Sequence, residues 1–144
     1  MHIINFKWKT MILPFIAGTI IVLGNNSPAL AVKPGTVVKS VSDPMLYFVT
    51  PAKRLAGIQS PEVYNCLKLS KQNNYRMGQD KIDELKKTSF LLRGPEGKVY
   101  LIEGTRKRHI ISLAAFAKHG FDNADVVAIS AEKLACIADG KPVR

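Results

Sequence analysis

The chain has 144 residues and a formal net charge of +10, from 21 Lys and Arg against 11 Asp and Glu. That length excludes more than one domain of ordinary size. A positive balance speaks to association and solubility and not to fold, so it narrows the partners to polyanions and acidic surfaces before it says anything about architecture.

The first residues decide which part of the chain belongs to the fold. "MHIINFKWKT" carries Lys7 and Lys9 and no acid, and "MILPFIAGTIIVLG" is an apolar run of 14 residues. A bilayer-spanning helix needs ~20 apolar residues, and Pro14 interrupts this run. "NNSPALA" then ends in Ala29-Leu30-Ala31. A basic start, a short apolar core and a small-x-small end form the pattern of a secretory signal peptide, so residues 1–31 are expected to be removed after Ala31. No cysteine lies near that site, and no lipid attachment is expected. Residues 32–144 are left as a single small α+β domain with 19 basic and 11 acidic residues, a net of +8.

In the cytosol such a charge would suggest nucleic acid. For an exported chain, whether periplasmic, secreted or on the cell surface, no nucleic acid is expected. The available counterparts are anionic lipid head groups, envelope phosphates, acidic glycans or an acidic protein face. The plainer reading is that the charge only aids solubility.

Sliding the chain over itself by 52 residues lays "YFVTPAKRLAGIQSPEVYNCLKL" over "VYLIEGTRKRHIISLAAFAKHGF". Phe48 falls on Tyr100, Arg54 on Arg106, Ile58 on Ile110 and Ser60 on Ser112. The agreement lies in residue class more than in identity. It predicts two tandem hairpin-helix-strand-helix units, at about 40–88 and 89–142, in an α+β fold. A unit of about 50 residues buries too little apolar surface to be comfortable alone, so the two are expected to share one core.

In the first unit "MLYFVTPAKRLAGI" reads as a hairpin with Pro51 and Ala52 in its turn. Ser60 as N-cap, Pro61 at the first helical position and Glu62 next predict a helix start. "NNYRMGQDKIDELKK" lacks an apolar run and predicts a poorer strand before its helix. In the second unit "GPEG" precedes the strand "KVYLIEG", and "RHII" is expected to pair back across the turn Gly104-Thr105-Arg106-Lys107. Ser112 is placed to cap the helix "LAAFAKH", and Gly120 to end it. "FDNAD" reads as a loop and "VVAI" as a short strand. Ser130 is placed to cap a last helix, "AEKLACIA".

The stretch "VYLIEGTRKRHIISLAAFAKHGFDNADVVAISAEKLACI" resembles short repeats of secreted and surface-associated bacterial proteins. Those run as an aromatic-x-Ile strand, a basic Gly turn, Arg-x-Ile, a Ser-capped helix and Asp-Val-Val. The resemblance covers roughly a third of the chain. It departs from the pattern where Ile110-Ile111 stands in place of Ile-Pro before the cap. It implies an envelope-associated module and brings no enzymatic activity with it.

"EGTRKRHI" is the candidate binding site. Arg106, Lys107 and Arg108, with Lys98 adjacent across the strand pair, would form a patch for a small anion or an acidic partner. The alternative is a solvated turn whose arginine stems cover apolar neighbours. Because Arg54 matches Arg106, that arginine has a structural role in prospect as well.

Cys66 and Cys136 are the only cysteines. An even count in an exported chain favours a disulfide, and each lies six residues after a capping serine, Ser60 or Ser130. Two buried free thiols are the alternative. His109 and His119 have no Cys or acid at ligand spacing, so neither a metal nor another cofactor is expected. No nucleophile motif is present. "GPEGK" precedes a strand and lacks the phosphate-loop pattern. The expected protein is thus a non-enzymatic binding or structural module of the cell envelope. The alternatives are an accessory subunit of a membrane complex, anchored by an uncleaved N-terminal segment, and an envelope hydrolase.

Overall fold

Short apolar runs bounded by Gly, Pro and Ser predict short elements, and the chain folds that way. The structure, a computed structural model, describes residues 32–144. The signal-peptide reading of residues 1–31 lies outside the described residues. The first sheet is built from β1 (Val37–Ser40), β2 (Leu46–Val49), β3 (Leu55–Ile58), β4 (Asn74–Met77) and β5 (Lys87–Thr88), with α1 (Pro61–Cys66) and α2 (Gln79–Glu84) between its strands. The second holds β6 (Phe90–Arg93), β7 (Val99–Glu103), β8 (Arg106–His109), β9 (Val127–Ala128) and β10 (Ala138–Asp139), with α3 (Leu113–Lys118) and α4 (Ala131–Ala135). The fold class is α+β. Strand order is β4-β1-β2-β3-β5 in one sheet and β10-β8-β7-β6-β9 in the other. In each, three consecutive antiparallel strands form the centre and a parallel strand is added at either edge.

Both faces of each sheet are covered, which is why Phe90, Leu91 and Leu92 of β6, and Val37 and Val38 of β1, are buried in succession and not in alternation. Successive side chains point to opposite faces. Val37 accordingly joins a middle cluster with Phe48, Ala56, Ile58, Phe90, Leu92 and Ile102, drawn from both sheets. Val38 turns the other way and packs with Val49, Leu55, Met77 and Ile82 of α2. Leu91 packs with Ile110, Ala115 of α3, Val126 and Val143. Val63 of α1 and Leu134 of α4 close the middle cluster. The Phe48 and Phe90 rings, 5.5 Å apart, are its central contact between sheets.

The helix ends follow the expected chemistry. Ser60, Ser112 and Ser130 each accept a hydrogen bond from the amide three residues on, and Pro61 opens α1. Gly120 takes φ +67° just past α3, a region open to glycine without penalty.

Other expectations are corrected. The β7–β8 turn is the two residues Gly104 and Thr105, with Glu103 opposite Arg106, so Arg106 and Lys107 belong to the strand and not to the turn. Gly104 at φ +58° suits the first central position of such a tight turn. The last helix stops at Ala135, and Ala138–Asp139 leave it as an edge strand beside β8. β4 was expected to be the poorer strand, yet it spans four residues where β9 spans two. An exposed edge strand needs backbone pairing more than apolar side chains, and β1 supplies that pairing in a parallel register. The hairpins also proved to be halves of three-stranded meanders, because "VVKS" and "FLLR" add a strand before each.

Cys66 ends α1, Cys136 follows α4, and the two are paired at disulfide distance with Cα atoms 5.9 Å apart. The bond ties one sheet's helix to the other's across 70 residues of sequence. On the chain-entropy model a loop of that length stabilises the fold by about 4 kcal/mol. The Cys66→Ser, Cys136→Ser double variant is expected to melt earlier by that margin in thermal denaturation. Two alkylatable thiols in the native protein would overturn the pairing.

Candidate functional site

The basic run lies on β8, and the alternation of the strand divides it. Arg106 and Arg108 point to one face, and Lys107 and His109 to the other. Arg108 forms an ion pair with Glu103 and donates through Nε to the Lys141 carbonyl at 2.8 Å. Arg106 is exposed and donates to the Asp139 carbonyl at 3.1 Å. Lys107 turns inward, where its side chain is only 11% exposed, and its Nζ meets Asp139 at 3.1 Å and the Ile137 carbonyl. The three cations thus clasp the segment 137–141 against β8. Gly140 is needed for that close approach, since a Cβ there would lie 3.0 Å from Arg108 Cγ and 3.1 Å from Arg106 Cβ.

Lys98 is placed differently from Arg106 and Arg108. It sits in the turn between β6 and β7, pairs with Glu96 at 3.5 Å, and lines a cleft with Lys107, Tyr100 and Leu134 of α4. His109 lies against Tyr100, ring centroids 5.4 Å apart. Of the four candidate patch residues, Arg106 and Arg108 share one face of β8 and Lys107 turns to the other, while Lys98, in the turn, lines both the cleft beside Lys107 and a second hollow beside His109 and Leu113. Among the described residues no three His, Cys, Asp or Glu side chains converge to hold a metal ion.

A second charged constellation escaped the sequence reading. "FDNAD", read as a loop, contains a 3-10 turn, Asn123–Asp125, whose Asp125 is fully buried. Asp125 accepts from Thr50 Oγ1 at 2.7 Å, Thr88 Oγ1 at 2.9 Å and Arg54 at 2.7 Å. The other guanidinium nitrogen of Arg54 reaches Asp122, also at 2.7 Å. Asp122 in turn caps the 3-10 turn by accepting from the Ala124 amide. Thr50, Arg54 and Thr88 come from the first sheet's hairpin and edge, while Asp122 and Asp125 precede β9 of the second. The two acids three residues apart were visible in sequence, but their partners lie 37 to 75 residues away.

The Ala124 amide, and after it the Arg54 guanidinium, hold the Asp122 carboxyl below its ordinary value. Arg54 is raised in return, chiefly by its bond to Asp122. The network is buried at Asp125 and reaches the surface at Asp122, whose side chain is 44% exposed.

No protein-family model matches the chain, and no curated protein or solved structure matches it either.

Arg54→Met leaves the buried Asp125 charge without its cation and is expected to lower stability clearly, measured by denaturant unfolding. Arg106→Gln, at the exposed counterpart, is expected to stay within about 0.5 kcal/mol. Equal losses would assign both arginines the same packing role. Acid acts on the same network. A carboxylate with a lowered folded value contributes stability that is present above its unfolded value, about 3.9, and is lost as pH falls through the lower folded one. Melting temperature should therefore drop below about pH 4, and less steeply in Asp122→Asn than in the parent.

Proposed function

We propose that this chain is an exported, non-enzymatic binding or structural module of the bacterial cell envelope, directed at an anionic component or an acidic protein face. The observation that carries the reading is a cationic surface that the fold leaves unneutralised. Of the 19 Lys and Arg among the described residues, only Arg54, Lys68, Lys81, Lys98, Lys107 and Arg108 have a carboxylate partner, which leaves 13 without one. The acids, by contrast, are largely engaged, with Asp125 held beneath two threonines and Asp139 beside Lys107. Acids committed to such bonds support a binder in preference to a catalyst. The leader pattern of residues 1–31 and the Cys66–Cys136 pair both suit an oxidising compartment outside the cytosol.

The architecture supports a finer proposal, that the two sheets are two copies of one unit. Each half runs as three strands, a helix, a 3-10 turn, a strand, a helix and a strand. Leu46 faces Ile58 across the first hairpin, while in the second the Ile110 amide bonds the Val99 carbonyl, so the first hairpin is one residue longer. The offset between copies is then 53 before the turn and 52 after it. A slip of one residue exchanges the faces of a strand, so Phe48 corresponds to Leu101 and not to Tyr100. After the turn Arg54 still falls on Arg106 and Ser60 on Ser112.

Cell fractionation with mass analysis tests the main reading. The protein is expected in the exported fraction, beginning at Val32, oxidised, and retained on isolated envelope material at low salt. Retention should fall as ionic strength passes the physiological range, where the Debye length is about 8 Å. A reduced cytosolic protein that no polyanion retains would refute the proposal.

A further inference from the structure

The helix α3 differs from the other three in what it shows to solvent. The outward residues of α1 include Glu62 and Asn65, those of α2 Asp80, Asp83 and Glu84, and those of α4 Ala131, Glu132 and Ala135, so each of these helices shows at least one acid. On α3 they are Leu113, Ala114, Ala117 and Lys118. Its inward residues, Ala115 and Phe116, pack on the second sheet's outer cluster. A helix that is apolar almost all round is ordinarily a buried one. Leu113 is nevertheless 87% exposed, the highest value among the large apolar residues described, and Ile111 beside it is 49% exposed.

Cations border this apolar face. The Ile111 amide donates to the Val143 carbonyl, which brings the segment carrying Lys141 alongside. Arg108 bonds the Lys141 carbonyl from the neighbouring strand. Leu113 lines a hollow together with Lys98, His109 and Phe116. Lys118 stands on the exposed side of the helix itself. The acids nearby are Glu96 and Glu103, each already paired with a cation of the same set.

We propose that this face docks on an anionic lipid surface. Ile111 and Leu113 enter the boundary between head groups and acyl chains, and Lys118 and Lys141, which have no carboxylate partner, lie against phosphates. The proposal rests on the envelope reading above and names the anionic component. A protruding leucine bordered by cations is the arrangement that lets apolar burial and attraction to anionic head groups act together. Lipid also closes around a single projecting side chain without needing a matching pocket, whereas a folded partner must present one. With so few apolar residues the attachment is reversible.

The exported protein, disulfide intact, would be sedimented with phosphatidylglycerol–phosphatidylcholine vesicles and with phosphatidylcholine vesicles alone. Binding is expected to the first and not to the second. Leu113→Ser should lower the partition about tenfold or more, with an unchanged melting temperature because the side chain is solvent-exposed. Lys118→Glu with Lys141→Glu should weaken binding strongly, while Lys39→Glu with Arg76→Glu, an equal charge change on the first sheet, should do so far less. Anionic-vesicle binding that ignores Leu113→Ser and falls equally with either charge pair would overturn this docking face while leaving the broader anionic reading intact. No binding to either vesicle would overturn it as well, and retention on whole envelope material would then decide the broader reading separately. A concentration-dependent dimer in sedimentation velocity that Leu113→Ser disperses would assign the face to a second copy instead.

Discussion

A single buried carboxylate ties the two sheets into one body. Asp125 has no exposed surface, and its charge is matched by Arg54 and by two threonine hydroxyls that reach it from the other half of the chain. An ionised group so enclosed is tolerable only when paired and hydrogen-bonded on every side. The geometry of the hairpin at Thr50–Arg54, of the edge strand at Thr88 and of the turn before β9 must therefore be satisfied together. Apolar contact between Phe48 and Phe90 is compatible with some sliding of the sheets, but four directed bonds to two carboxylates are not. The network fixes the register, and the Cys66–Cys136 pair clamps the helices of the two halves.

That register has a consequence for the faces of the two sheets. Ile58, at the end of β3, lies in the middle cluster, whereas Ile110, just after β8, lies in the outer cluster of the second sheet. Likewise α1 packs at the middle and α3 on the outside. The first sheet is thus covered by the second on the same kind of face that the second sheet turns outward. Ala56 on β3 is fully buried between the sheets, whereas Arg106 and Arg108 on β8 stand on the second sheet's outer face and Lys107 turns toward the middle.

The cations of that run also do structural work at a sheet edge. An open edge beside β8 would present unpaired backbone groups. The segment after α4 covers it as β10, and Arg106, Lys107 and Arg108 hold that segment through carbonyl and carboxylate contacts. The same guanidinium that bonds a carbonyl keeps its charge, and the surrounding surface remains cationic.

Much of the local structure was legible in the residues themselves. Ser60, Ser112 and Ser130, Pro61, Gly104 and Gly120 mark helix starts, helix ends and a tight turn by chemistry that acts within a few residues, and all were placed accordingly. The pairing of the two cysteines could be inferred from their number and setting, and their spacing is that of a disulfide. The short run "FLLR" was missed as a strand because residues buried on both faces show no alternation, and "VVKS" because only two of its residues are apolar. "NYRM" was undervalued because an edge strand is made by its neighbour's backbone. What the sequence by itself determined is therefore where elements begin and end, and the excess of positive charge. Only the tertiary structure decided which arginine is clamped and which is exposed, since Arg54 and Arg106 sit at matching places in similar stretches. The difference comes from Asp122 and Asp125, some 70 residues from Arg54 in sequence, which the packing of the two sheets brings to one and not to the other.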